Sequence, residues 1–342
     1  MEQDLTPVSA LGEFGLIERL TANFKPVLES TVKAFNDDGA VIHYGSGDIL
    51  VSTDMYLEGV HFDMVYTPLM HLGYKCIVGS ISDIYAMNGM ATQVLVSLGV
   101  SSRFTVEALE ELYGGIQVAC KNYGVDLVGG DTTTTKSGLV ISVTALGNAK
   151  REDVCYRNGA KNGDIICVSG DLGGAYIGLQ VLEREKRVFL EAPGATPQLA
   201  DFDYVLKRQL RPEARKDIIR IFKENHIKPN AMIDVSDGLS SEIMHICSQS
   251  GTGCMLFEDK IPIDQSTYST ALDFNLDPTM CALSGGEDYE LLFTLNPADY
   301  EKIKNDPDFT AIGHVTDKES GYKITTKSAN VYELIAQGWK HF

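Results

Sequence analysis

The sequence predicts a mixed α/β protein with two domains. Its 342 residues exceed what one hydrophobic core usually serves, and typical domain sizes give about two domains. Short β-branched runs alternate with segments of helical periodicity, a pattern typical of α/β or α+β proteins. Hydrophobic residues make up 44% and charged residues 22% of the chain, as in ordinary globular domains. We therefore expect a compact fold with a sizeable buried core.

Local patterns predict the individual elements. Residues 106–123 carry apolar side chains at helical spacing, and Gly124 follows as a C-cap. A second helix is predicted from Leu239 to a stop at Gly251. Short runs rich in β-branched and apolar residues predict strands, in chain order at 49–51, 94–100, 139–146 and 165–168.

A domain boundary is predicted near Lys150. The polar stretch 148–157 follows a strand pattern and precedes a loop that contains two glycines. We therefore expect a first domain over residues 1–149 and a second over residues 150–342. The segment 189–209 contains two prolines and a glycine, and we expect it to form an exposed excursion within the second domain.

Charge and cysteine content exclude several classes of partner and site. The chain has 47 Asp plus Glu against 29 Lys plus Arg, a formal net charge of −18, which repels nucleic acids and anionic membranes. The seven cysteines are scattered and lack CxxC spacing, which argues against a disulfide framework or a zinc site. Neither a signal segment nor an apolar run of membrane-spanning length is evident. We expect a cytoplasmic protein without nucleic-acid or membrane partners.

The most informative feature is an acidic residue beside Gly, Ser or Thr in a loop next to an apolar element. A carboxylate at a strand end can point into a cleft, adjacent glycines let backbone approach a polyphosphate, and hydroxyls donate to its oxygens. Mg²⁺ binds a few such oxygens and completes its shell with water and nucleotide phosphates. The pattern predicts a phosphate and Mg²⁺ site if the loops converge. The loops are 36–39, 52–54, 82–83, 129–132, 234–238 and 285–288.

Each loop also has a purely structural interpretation. Asp-Gly and Asp-Ser pairs form turns and cap helices, and Asp234 or Ser236 could cap the helix predicted after Leu239. The sequence contains no GxxxxGK[ST] loop, no HRD or DFG signature, no GxGxxG fingerprint and no HExxH motif. ATP chemistry would therefore require a different scaffold.

In their order along the chain, these loops resemble the thiamine-monophosphate kinase family. Its superfamily includes aminoimidazole ribonucleotide synthetase, selenophosphate synthetase and a hydrogenase-maturation protein. The resemblance covers nearly the whole chain and departs at Asn36, where the family usually has Gly, and at Asn88, which interrupts a usual Met-Gly pair. Further matching segments are GEFGLI at 12–17, GVHF at 59–62, SDIYAM at 82–87, RNGA at 157–160, LSGGEDYEL at 283–291 and GWKHF at 338–342.

The resemblance implies a two-domain fold like that of aminoimidazole ribonucleotide synthetase, in which the first domains of two subunits contribute strands to a shared β-barrel. It implies a homodimer, ATP as co-substrate, several Mg²⁺ ions and thiamine monophosphate as acceptor. The implied metal ligands are Asp37, Asp38, Ser52, Thr53, Asp54, Asp83, Asp131, Asp234 and Asp237. The implied ATP contacts are Tyr113, Gly130, Asp131, Arg157 and Ser236, and the implied thiamine-phosphate contacts are His61, Glu287 and Trp339.

Four of these residues have plausible structural roles instead. Tyr113 also fits the apolar stripe of its helix. His61 could be a hydrogen-bonded structural histidine, and Trp339 could anchor the chain terminus. Arg157 could be a surface charge, although its planar guanidinium pairs well with phosphoryl oxygens.

The implied activity is direct transfer of the ATP γ-phosphoryl group to thiamine monophosphate, giving thiamine diphosphate and ADP. A phosphate-monoester acceptor is largely ionised at neutral pH, so no strong base and no covalent catalytic residue is expected. Another activity of the superfamily, such as aminoimidazole ribonucleotide synthesis, is one alternative. Selenophosphate synthetase and the hydrogenase protein use a cysteine near a terminus, whereas the cysteines here run from Cys76 to Cys281. A non-catalytic protein that binds nucleotide or divalent cations is the other alternative.

Overall fold

Two β-sheets organise the chain, which confirms the predicted mixed α/β architecture. The computed structural model describes residues 31–33, 37, 40–44, 47–192, 194–336 and 338. The first sheet has the strand order β1-β2-β3-β6-β4-β5, in which β4 and β5 run parallel. Its strands are β1 (Thr31–Lys33), β2 (Ala40–Tyr44), β3 (Gly47–Leu57), β4 (Met90–Val100), β5 (Asp126–Thr134) and β6 (Leu139–Ala149).

The second sheet follows in sequence and has the order β13-β12-β9-β11-β7-β10-β8. Its strands pair antiparallel except for β12 and β9, which run parallel. They are β7 (Ile165–Ser169), β8 (Ala231–Asp234), β9 (Thr252–Phe257), β10 (Leu291–Leu295), β11 (Phe309–Asp317), β12 (Tyr322–Thr325) and β13 (Val331–Glu333).

Helices of the described chain cover and connect the sheets. The first, α1, packs on β3, β4 and β6 of the first sheet and on β8 of the second. The helices are α1 (Leu69–Ala86), α2 (Val106–Tyr123), α3 (Gly174–Glu191), α4 (Asp203–Leu210), α5 (Lys216–Glu224), α6 (Leu239–Ser250), α7 (Gln265–Asp273), α8 (Pro278–Ser284) and α9 (Pro297–Ile303). None of these helices is long and apolar enough to cross a membrane.

The predicted helices and strands are confirmed. Helix α2 spans 106–123 as predicted; Thr105 caps its first turn, and Gly124 ends it in the left-handed conformation with φ 65°. Helix α6 likewise ends at Gly251, with φ 67°. The four predicted strand segments lie within β3, β4, β6 and β7. Local patterning therefore located these six elements, of which β3 contributes to the site described below.

The predicted exposed excursion over 189–209 is wrong for its second half. Residues 203–210 form α4, in which Val205 and Gln209 are buried. Gly178 explains the close packing, because a Cβ atom there would lie 2.1 Å from the carbonyl oxygen of Val205. The polar composition of α4 concealed this contact with α3.

The predicted division into residues 1–149 and 150–342 stays a prediction. The last strand of the first sheet ends at Ala149, and the first strand of the second begins at Ile165. One buried cluster nevertheless spans both sheets, with Leu50 and Ile84 on one side and Phe293 on the other. The two halves therefore share hydrophobic interior.

Polar contacts also join the two halves. Lys186 of α3 places its Nζ 2.7 Å from Oδ2 of Asp63, and the hydroxyl of Tyr66 donates to Oε1 of Glu183 at 2.8 Å. Asp63 and Tyr66 lie in the loop between β3 and α1. This tie joins that loop to the second half of the chain.

Helices α1 and α2 approach each other at two glycines. A Cβ atom at Gly73 would lie 2.0 Å from the carbonyl oxygen of Leu112. A Cβ atom at Gly115 would lie 1.8 Å from the carbonyl oxygen of Met70. Both distances are far below van der Waals contact, so neither helix tolerates a side chain at these positions without moving.

We expect Gly115→Ala to destabilise the protein by about 2 kcal/mol, because α1 and α2 must separate. Urea unfolding followed by circular dichroism measures this change. Gly114→Ala is the matched control, since a Cβ atom there meets nothing nearer than Cε of Met70 at 3.5 Å. It should stabilise the helix by about 0.5–1 kcal/mol. Equal effects of the two substitutions would contradict the packing argument.

Candidate active site

A cavity of about 1350 Å³ lies between the two halves of the chain. Its wall combines the end of β3, helix α1, helix α3, the loop after β8 and the loop after α8. Four of the six acidic loops therefore converge on one space. The predicted site residues that line it are Thr53, Asp54, His61, Asp83, Asp234, Ser236, Asp237 and Glu287.

Two serine hydroxyls fix two of the cavity carboxylates. Ser52 Oγ on β3 donates a hydrogen bond to Oδ2 of Asp83 on α1. The neighbouring Ser82 Oγ donates to Oδ2 of Asp234, at the end of β8, over 2.7 Å. Consecutive residues of one buried helix thus connect a strand of each sheet, and they set the separation of the carboxylates.

The chemistry of the donors fits Mg²⁺. The groups offered by Asp54, Asp83 and Asp234 are oxygen donors, which magnesium prefers. Within the described ranges, no three His, Cys, Asp or Glu side chains lie close enough to hold a metal ion by themselves. Mg²⁺ keeps water and binds substrate phosphates, so an incomplete protein cage suits it.

The charge of Asp54 acts in poorly solvated surroundings. Burial raises the pKa of the neighbouring Tyr56 well above its ordinary value, and the charges of Asp54 and Tyr289 raise it further. Electrostatic interactions are stronger where water is excluded. A cation bound beside Asp54 would therefore be held more strongly than at an exposed surface.

Two loops meet backbone to backbone at the second side of the cavity. The amide of Glu287 donates to the carbonyl oxygen of Ser236 at 2.8 Å. A Cβ atom at Gly286 would lie 2.2 Å from that same carbonyl oxygen, and one at Gly338 would lie 2.0 Å from the carbonyl oxygen of Asp237. Glycine is required at both positions, and this packing brings Ser236, Asp237 and Glu287 to one wall.

The N-cap position of α6 is occupied by Gly238 rather than by Asp234 or Ser236, for which capping was the structural alternative. Helix α6 begins after Gly238, which makes no side-chain cap hydrogen bond. Instead, Oε1 of Glu242 accepts from the backbone amide of Asp237 at 2.9 Å. Asp234 and Ser236 line the cavity.

Sequence reasoning missed Glu242. This side chain is 2% exposed; burial raises its pKa well above the ordinary value, the charge of Asp237 adds to the increase, and that of Arg157 opposes it. The backbone amide of Arg157 donates to Oδ1 of Asp37 at 3.0 Å. Arg157 therefore lies near enough to Glu242 for its charge to act there, and Asp37 contacts the backbone of Arg157. The sequence signal for Glu242 was an acidic residue in the first turn of the predicted helix.

Glu287 is held from two sides. Its φ of 63° is left-handed, an uncommon conformation for a residue other than glycine. Oε1 lies 2.9 Å from Nζ of Lys75 on α1, and Nε2 of Gln209 on α4 donates to Oε2 at 3.0 Å. Lys75 and Gln209 were not predicted, although a single lysine in the apolar sequence of α1 is a usable signal.

His61 is held in place by a backbone hydrogen bond and also lines the cavity. Its Nδ1 accepts from the backbone amide of Leu57 at 3.0 Å, so the ring proton of the neutral form lies on Nε2. The ring packs edge-on against Tyr56, with centroids 6.1 Å apart. Because His61 also lines the cavity, the hydrogen bond fixes the ring without removing it from the site.

Other acidic residues of the GGEDYEL segment serve the fold. Oδ2 of Asp288 accepts from the amide of Gly173 at 2.7 Å, and burial raises its pKa to about 6 against the opposing charge of Arg208. Glu290 pairs with Arg208 at 2.9 Å and with Arg215 at 2.6 Å. Only the first acidic residue of the segment, Glu287, reaches the cavity.

The remaining predicted residues are placed elsewhere or lie outside the described residues. Tyr113 is 37% exposed on α2 and does not line the cavity. Gly130 and Asp131 lie on β5, whose nine residues are all exposed. Asp38 and Trp339 lie outside the described residues. The assigned roles of all five residues stay predictions.

Comparison with known proteins agrees with this arrangement. Residues 36–149 match the family model described as AIR synthase related protein, N-terminal domain. A solved structure described as AaThiL complexed with AMPPCP and TMP superposes with a TM-score of 0.84 and 30% identity, covering 99% of this chain and 100% of that one.

Curated relatives extend the similarity over nearly the full length. The thiamine-monophosphate kinase of Aquifex aeolicus is 35% identical, with 97% of this chain and 98% of the relative covered. That of Bacillus subtilis is 32% identical, covering 97% of this chain and 100% of the relative. The residue order, the cavity and these similarities show that this chain belongs to the thiamine-monophosphate kinase family.

Proposed function

We propose that this protein phosphorylates thiamine monophosphate with ATP, giving thiamine diphosphate and ADP. The observation that carries the proposal is the convergence of Asp54, Asp83 and Asp234 on one cavity between two sheets, in a chain of this family. The related AaThiL structure contains AMPPCP and TMP, and this chain covers the whole of it. A cytoplasmic location remains part of the proposal.

The proposed role of the carboxylates is to hold Mg²⁺ rather than to attack phosphorus. Asp54, Asp83 and Asp234 would be ligands, and Ser52 and Ser82 fix two of them. Bound Mg²⁺ offsets the charge of the phosphates and stabilises the charge of the transition state. The acceptor phosphate is already largely ionised at neutral pH, so the protein needs only to bind and orient it. Further proposed ligands are Asp37, Asp38, Thr53, Asp131 and Asp237.

The two substrates are proposed to occupy different parts of the site. Ser236 and Arg157 would contact ATP, for which the guanidinium of Arg157 is well suited. His61 and Glu287, on the cavity wall, would contact the acceptor. Trp339 is proposed to join them, because the preceding Gly338 already packs against the backbone of Asp237.

A homodimer is also proposed, with β5 at the contact. In the part of the chain that the structure describes, this strand lies at an edge of the first sheet, and all nine of its residues are exposed. An open strand edge invites pairing with another chain. Such a contact would enclose Gly130 and Asp131, which explains how they could join a nucleotide site although they lie away from the cavity. The shared β-barrel is part of this proposal.

An acceptor screen tests the activity. The protein is incubated with ATP, Mg²⁺ and thiamine monophosphate, and ADP and thiamine diphosphate are quantified by chromatography. Thiamine and the formylglycinamidine ribonucleotide precursor of aminoimidazole ribonucleotide serve as control acceptors. We expect product only with thiamine monophosphate. ATP binding without ADP formation would instead support the non-catalytic alternative.

We expect Asp54→Asn to reduce turnover on the order of 100-fold, because loss of a charged ligand weakens stabilisation of the phosphoryl transition state. Stopped-time assays at several Mg²⁺ concentrations measure the change. Asp259→Asn is the matched control, since that side chain is 56% exposed. Normal activity with unchanged Mg²⁺ dependence in Asp54→Asn would refute the assigned role.

We expect Val128→Glu to weaken dimer formation, because Val128 on β5 is 56% exposed and the contact would bury its new charge. Sedimentation velocity at several concentrations measures the distribution of species. Val106→Glu, at a valine that is 68% exposed on α2, controls for added surface charge. If both variants dimerise like the unmodified protein, β5 is not the contact.

A further inference from the structure

We propose that Lys75 is a positioning residue for acceptor binding, which acts by holding Glu287. This inference rests on the proposed function and extends it to a residue of the opposite half of the chain. Lys75 lies on α1, which packs on the first sheet, whereas Glu287 lies in the loop before β10 of the second sheet. Their ion pair, with Nζ and Oε1 2.9 Å apart, therefore joins the two halves of the chain at the cavity.

The burial of the pair differs sharply between its members. Both residues line the cavity, but the side chain of Lys75 is 7% exposed, whereas that of Glu287 is 31% exposed. A substrate in the cavity thus reaches Glu287 more readily than the largely buried amine of Lys75. This difference separates the roles: Glu287 is placed to contact the acceptor, and Lys75 is placed to hold Glu287.

The hydrogen-bonding capacity of Glu287 supports this division. Lys75 occupies one site on Oε1, and Gln209 occupies one site on Oε2. An ionised carboxylate has about four acceptor sites on its two oxygens. Glu287 therefore retains capacity to accept N–H donors from the heterocyclic part of the acceptor, with its orientation set by the two protein partners.

The backbone adds a reason for the anchor. Glu287 adopts φ 63° and Tyr289 adopts φ 53°, and such angles in residues other than glycine cost free energy unless the surroundings enforce them. The amide of Tyr289 donates to the carbonyl oxygen of Val235 at 2.9 Å, which fixes the backbone. Lys75 and Gln209 fix the side chain of Glu287, so the acceptor meets a preorganised carboxylate.

A double-mutant cycle tests the proposal, with Lys75→Met, Glu287→Gln and the variant carrying both. For each protein, kcat and KM are measured for thiamine monophosphate and for ATP, and melting is recorded. Lys75→Met should raise the acceptor KM about tenfold, as expected for loss of a hydrogen bond to a charged group, while the ATP KM stays within about twofold. The variant that carries both substitutions should raise the acceptor KM no more than Glu287→Gln alone does.

Lys216→Met is the matched control, because it also removes a lysine contact between the halves, in which Nζ donates to the carbonyl oxygen of Tyr123 at 2.5 Å, and neither residue lines the cavity. It should leave the acceptor KM within about twofold. If Lys75→Met does not fold, Gln209→Met removes the other partner of Glu287 at similar volume. That variant should raise the acceptor KM in the same direction.

Three outcomes would overturn the inference. If the increases in acceptor KM caused by Lys75→Met and by Glu287→Gln multiply fully in the combined variant, Lys75 contacts the substrates independently of Glu287. A loss confined to kcat or to the ATP KM would assign Lys75 to phosphoryl transfer. An acceptor KM unchanged in Lys75→Met, or in Gln209→Met where the first variant does not fold, would remove the positioning role. Absence of thiamine-monophosphate kinase activity in the unmodified protein would instead refute the proposed function itself.

Discussion

The site depends on holding negatively charged carboxylates close together at the place where the two sheets meet. Asp83 and Asp234 face the same cavity, although carboxylates in one poorly solvated space repel one another. Two serine hydroxyls offset this repulsion: Ser52 donates to Asp83, and Ser82 donates to Asp234. The site is therefore stabilised by the same contacts that connect helix α1 to β3 and to β8.

Helix α1 can serve both sheets because it is buried on nearly every side. Its neighbours include β3, β6 and β8, and its closest helix, α2, approaches at Gly73 and Gly115. A helix enclosed in this way cannot shift to suit one partner without disturbing another. Lys75 and Asp83, which point from it to the cavity, are consequently positioned by the whole interior rather than by their own loops.

Much of this arrangement is readable from sequence, and the missed part has a physical reason. Gly124 and Gly251 end helices where the pattern placed the ends, because left-handed caps are a local property. The acidic loops were also found locally. Lys75, Gln209 and Glu242 were missed because their roles come from partners distant in sequence or from burial; the lone lysine of α1 and the acidic residue in the first turn of α6 mark two of these positions but not their partners. The second half of the exposed excursion was wrongly predicted for the same reason.

The GGEDYEL segment both supports the fold and presents one carboxylate to the cavity. Its backbone packs on the loop of Ser236 through Gly286, and Glu290 pairs with two largely buried arginines. These contacts use most of the segment as structural support, so that a single carboxylate, Glu287, is presented to the cavity in a strained conformation. Because strain persists only where surrounding contacts enforce it, the ion pairs of Glu290 and the backbone contacts of Glu287 and Tyr289 support the loop conformation, while Lys75 and Gln209 hold the carboxylate itself.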